Sequence, residues 1–143
     1  MSFLLRTYTE IRSFAEKALP HLLRDEPRNN LQLGLLRRGL NDSTFAFDEL
    51  ATAESSAGQV IGVLTRTPGC SFIISVLPHR THAAVIAAIS AALPHVIGLL
   101  GPLDTLGALA AAIAQRMTAN VVPHTRLDTL TLQSISPPQV APG

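Results

Sequence analysis

His79-Arg80-Thr81-His82 brings two imidazoles, a guanidinium and a hydroxyl to the point where an apolar run ends and a helix should begin. A helix N-terminus leaves amides free, and these with a guanidinium suit a phosphate or a carboxylate. The blander alternative is an exposed polar cap at the end of a buried strand. Metal binding by His79 and His82 lacks any neighbouring Asp, Glu or Cys at ligand spacing. Cys70 is the one cysteine, which excludes an internal disulfide, fits a reducing compartment and points to a cytoplasmic location. Packing of that thiol in the interior is expected over reactivity. His95 and His124 stand beside prolines and read as loop positions. Arg37-Arg38 suits the C-terminal end of a helix as a solvated cap rather than a phosphate site. Gly98-x-x-Gly101 is no phosphate loop, because no Lys-Ser/Thr follows, and no Gly-x-Ser-x-Gly or His-Glu-x-x-His occurs. The sequence names no catalytic residue and no metal ligand.

These residues sit in a chain of 143, one domain's worth, with 47% hydrophobic and only 15% charged residues. Such a chain can bury a real core, which excludes disorder. The low charge leaves apolar surface to cover, so self-association or a partner domain is expected. A net charge of +1, no Trp and 4% aromatics give no basis for nucleic-acid binding. Ala83 to Leu103 carries no Asp, Glu, Lys or Arg, a length that could span a bilayer. Pro94 and His95 interrupt it and no Trp or Tyr flanks it, so it reads as a buried helix followed by a buried strand, with no membrane partner.

The elements follow from periodicity. Phe3 to Tyr8 alternates as a first strand. Ile11, Phe14, Ala15 and Ala18 mark a helix that Pro20 should end. Asp25-Glu26-Pro27 should open a second helix carrying Leu31, Leu35, Leu36 and Leu40, with Gly39 and Asn41 as its stop. Thr44 to Asp48 reads as a strand, Ala51 to Gly58 as a polar hairpin loop, and Gln59 to Thr67 as a β-branched strand. After the turn at Thr67-Pro68-Gly69, Cys70 to Leu77 should be a central strand covered on both faces. Thr81 should cap a helix carrying Val85, Ile86, Ile89 and Leu93. Val96 to Leu100 is a short strand, and Asp104 or Thr105 should cap a helix running to Met117. Val121-Val122 and Arg126 to Ile135 read as closing strands. The order, β-α-α-β-β-β-α-β-α-β-β, implies an α/β (α+β) fold with a mixed sheet and helices on its faces.

That order resembles the general-control-type N-acetyltransferase (GNAT) superfamily. The stretches Arg24 to Gly34, Gly58 to Pro68 and Val96-Ile97-Gly98-Leu99-Leu100-Gly101-Pro102 are similar to the N-terminal halves of bacterial proteins with two tandem GNAT-like halves. The resemblance implies a mostly antiparallel, twisted sheet flanked by helices, a single GNAT-like domain over 1–135 and a Pro-rich linker or tail over 136–143. It implies an N-terminal half that shapes a substrate groove and packs against a catalytic half or a second copy. An acyl-CoA-dependent N-acyltransferase, or a structural homodimer module, are the alternatives. The cofactor it implies is acetyl-CoA. The acyl-CoA loop of the superfamily, Gln/Arg-x-x-Gly-x-Gly/Ala, falls here on Arg80, Thr81, His82 and Ala83 and continues to Val85. No glycine occurs from Pro78 to Val85, and the only tyrosine is Tyr8 rather than one on the last helix. The family's strands Cys70 to Leu77 and Val96 to Leu100 would splay for the pantetheine arm. With that role lost, Leu77, Ile97 and Leu99 are expected to fill the gap.

Overall fold

The computed structural model describes residues 3–69, 71–89 and 98–117. Their order is β1 (Phe3–Thr7), α1 (Ile11–Leu23), α2 (Asn30–Asn41), β2 (Glu49–Ser55), β3 (Val60–Arg66) and β4 (Phe72–Ile74). A 3₁₀ turn (His79–Thr81), α3 (His82–Ile89), β5 (Leu99–Leu100) and α4 (Leu103–Met117) follow. The fold is mixed α and β: an open sheet in the order β1-β2-β3-β4-β5, antiparallel except for the β4–β5 pair. Parallel neighbours need a crossover, and α3 supplies it. The strands expected at Val121-Val122 and Arg126 to Ile135, the tail, Cys70, His95, Ile97 and His124 lie outside the described residues.

Two cores sandwich the sheet. Alternation along β2 sends Ala51 and Ala53 to one face, where they meet Leu64, Val85, Ile86, Leu109 and Ile113 beneath α3 and α4. Leu50 and Val63 face the other way, onto Phe14, Ala18, Leu22, Leu33 and Leu36 of α1 and α2. Phe14, Ala18 and Leu22 are fully buried, and each large apolar side chain so placed stabilises the fold by about 1.5–3 kcal/mol.

Several boundaries differ from those the sequence suggests, each for a local reason. Pro20 lies inside α1 rather than ending it, because burial of Leu22 secures one further turn. Arg24 and Asp25 then close it with amide bonds to His21 and Leu22 carbonyls. α2 begins at Asn30, not at Asp25-Glu26-Pro27. The Asn29 side chain donates to the Leu22 carbonyl at 3.0 Å, which ties residues 24–29 into turns against α1. The largest correction concerns Ala51 to Gly58: residues 49–55 are β2 itself, and Thr44 to Asp48 is not a strand. Alanines, Thr52 and Glu54 give a weak strand signal alone, but flanking strands on both sides hold them. Gly58 (φ 83°) makes the turn to β3, a left-handed conformation that side chains resist.

Among the described residues of the expected strand Cys70 to Leu77, only Phe72–Ile74 is β4. At Ser75 the ladder changes character: its amide donates to Val63 O at 3.0 Å, but the Val63 amide donates to Ser75 Oγ at 2.8 Å. A hydroxyl stands where a backbone carbonyl would continue the strand. The β4–β5 ladder also stops early. The next donor to the Ile74 carbonyl would be the amide of residue 102, and Pro102 has none. Gly101 comes so close to that carbonyl that a Cβ would collide with it.

Candidate functional site

The chain leaves β4 at its C-terminal end and descends through Leu77 and Pro78 into the 3₁₀ turn. Leu77 is buried across Gly62, among Val85, Ile86 and Leu109, and Leu99 packs half-buried on the same core. The Leu77 amide, free of any β5 partner, meets the buried Thr105 Oγ1 at 3.4 Å. The segment that follows β4 is thus bonded to α4. Thr105 lies within α4, which starts at Leu103, so neither Asp104 nor Thr105 precedes the helix as a cap. Asp104 Oδ1 instead accepts the Thr105 amide at 2.9 Å in the first turn, where an acid suits the helix dipole.

The expected site residues divide into two pairs. Arg80 and Ala83 are exposed, whereas Thr81 and His82 are buried. Thr81 does not cap α3: its hydroxyl and its amide both donate to Pro78 O, at 2.7 and 2.9 Å. His82, 5% exposed, turns inward with Nε2 3.3 Å from the Leu77 carbonyl. A carbonyl only accepts, so Nε2 carries the proton and Nδ1 keeps a lone pair. That Nδ1 is buried without a hydrogen-bond partner. Burial pushes the His82 pKa down and the charge of His79 pushes the same way. The bond to Leu77 O opposes them, and the net direction is down. The ring is therefore neutral near pH 7.

The turn is therefore closed on itself. Thr81's amide is engaged internally, His82 points into the core, and no glycine lets a phosphate approach. These residues do not fit a pyrophosphate cradle; Arg80 alone faces solvent with a charge, beside His79. The rings of His79 and His82 lie 5.0 Å apart between centroids, tilted by 48°, but no group of three metal-ligating side chains forms among the described residues. Arg37 and Arg38 are engaged elsewhere, Arg37 with Glu26 at 3.7 Å and Arg38 over the Phe45 ring at 4.6 Å.

A second polar cluster, not anticipated from the sequence, lies under α1 on the opposite face of the sheet. Glu54 on β2 is 3% exposed, and its Oε2 receives Thr52 Oγ1 at 2.8 Å, Tyr8 OH at 3.2 Å and Arg6 Nε at 3.2 Å. Burial pushes the Glu54 carboxyl up, but the bonds from Thr52 and Tyr8 and the charge of Arg6 outweigh it, and the net direction is down. Burial and the Glu54 charge raise the Tyr8 phenol against the opposing Thr52 bond, so it stays protonated and donates. With its donors converging on one oxygen, this carboxylate anchors β1 to β2. Only register could have revealed it, since Arg6 faces Thr52 and Leu4 faces Glu54 across strands far apart in sequence.

Compared with protein-family models, with curated proteins and with solved structures, the chain matches none. No helix among the described residues is long and apolar enough to cross a membrane.

Proposed function

We propose that this chain is a GNAT-like domain acting as a non-catalytic N-terminal half, which shapes a substrate groove and packs against a catalytic half or a second copy. The observation that carries the reading is the inward turn of His82 onto the Leu77 carbonyl. It commits to the fold's own backbone the position where an acyl-CoA loop would present itself to phosphate. The order of elements, with a parallel β4–β5 pair joined through α3, is consistent with the resemblance. Calorimetry of the full chain with acetyl-CoA tests it. No binding at micromolar concentrations is expected. Micromolar affinity abolished by Arg80→Ala would replace this reading with an acyl-CoA-dependent N-acyltransferase that uses the exposed guanidinium.

A further inference from the structure

We propose that a second copy of the chain docks on the edge of β1 that is open among the described residues, pairing Phe3–Thr7 antiparallel about Leu5. The inference rests on the reading that this domain packs against a partner, and it names the surface. Among the described residues β1 has one neighbouring strand, β2. The Tyr8 amide donates to Leu50 O at 2.8 Å, which fixes the phase of the ladder. Bonding alternates along an antiparallel pair, so Leu4, Arg6 and Tyr8 turn their backbone groups toward β2. Phe3, Leu5 and Thr7 turn theirs outward. A two-fold axis at Leu5 sets Leu5 opposite itself and Phe3 opposite Thr7, so every outward-facing residue of the strand finds a bonding partner.

Side chains agree with that register. Leu4, 52% exposed, falls opposite Arg6 of the copy in a non-hydrogen-bonded pair, where side chains approach most closely. Arg6 is drawn by its Nε onto the buried Glu54, and its methylene stem can lie over the facing leucine. Sheet edges are usually guarded by lysine, proline or a bulge. β1 has none of these, its pairing with β2 is unbroken, and its one charged side chain, Arg6, leans by Nε onto Glu54 of its own protomer while staying half exposed. On the other face, Phe3 and Leu5 pack half-buried against the core under α3, so the copy's Phe3 and Leu5 would extend that core.

Analytical ultracentrifugation of the full chain over a concentration series tests this, with two variants at the exposed Leu4. The wild type is expected to form a reversible dimer. Leu4→Arg sets an arginine opposite Arg6 of the copy twice per dimer and should raise the dissociation constant about tenfold. Leu4→Glu sets a carboxylate there and should leave the dimer as strong or stronger. A chain that stays monomeric, or variants that weaken the dimer equally, would overturn the proposal. A dimer indifferent to both variants would also overturn it while leaving the partner reading intact. Acetyl-CoA binding would remove the partner reading without touching the opposite effects expected at Leu4.

Discussion

A carboxylate almost closed off from water stays ionised only where donors replace the water it has lost. Glu54 has three, and their geometry makes them unequal. Thr52, at 2.8 Å, is itself buried, whereas the Arg6 side chain is half exposed and keeps much of its hydration. Most of the effect should therefore come from the hydroxyls rather than from the ion pair. Tyr8→Phe is expected to cost about 1.5–3 kcal/mol, the usual worth of a hydrogen bond to a charged group. Glu54→Ala should cost about 3 kcal/mol, because Thr52 and Tyr8 are left without their acceptor. Urea unfolding at neutral pH measures both. An equal or larger loss for Arg6→Ala than for Tyr8→Phe would show that the ion pair, not the hydroxyls, dominates.

At the scale of elements, two glycines in similar chemistry make opposite demands. Gly34 sits exposed in the middle of α2 with open space where a Cβ would go, so Gly34→Ala should stabilise by about 0.5–1 kcal/mol. Gly101 lies against the Ile74 carbonyl, a backbone atom that cannot step aside, so Gly101→Ala should destabilise by about 1–3 kcal/mol. Thermal melts of the two variants, moving in opposite directions, check the pair. Among the described residues α2, β3 and α4 were legible in the sequence because they carry strong periodicity through leucines, valines and isoleucines. β2 was not, because Ala51, Thr52, Ala53 and Glu54 become strand-like only between two partners. The early end of β4 was hidden for a similar reason: Ser75 reads as one more strand residue until its hydroxyl replaces a carbonyl. The position of the His79–His82 turn was legible, since Pro78 punctuates the end of an apolar run. Which way His82 points was not, because that depends on the Leu77 carbonyl, which lies beyond the end of the short β4 and meets the His82 ring. Gln32 belongs to the same class. Its side-chain amide reaches Ile73 O at 2.9 Å and Val63 O at 3.3 Å, a clamp across β3 and β4 that no local pattern announces.

For the molecule as a whole, buried titratable groups on both faces of the sheet set how stability depends on pH. His82 at the start of α3 and His21 near the end of α1 both titrate below the ordinary imidazole value of 6.5, in each case first because burial disfavours the charged ring. Each also buries an Nδ1 without a partner, so a proton there would find no acceptor. The unfolded chain takes up protons at these rings before the folded one does. Their contribution is thus fully present above about pH 7 and is lost progressively as pH falls through 6.5 toward the lower folded values. Glu54 adds a second step. Its folded carboxyl titrates below the ordinary 4.5, so its contribution persists through mild acid and drains only as pH drops beneath that value. Urea midpoints measured from pH 8 to pH 3 should therefore show a plateau and two descending steps. His82→Gln, which can still donate to the Leu77 carbonyl but does not titrate, should shrink the upper step to the share of His21 and leave the lower one. Glu54→Gln should shrink the lower step only, leaving the part that belongs to Asp42, whose carboxylate accepts bonds from Thr44. If His82→Gln left the upper step unchanged, the neutral buried imidazole at the start of α3 would not be part of what makes the fold sensitive to mild acid.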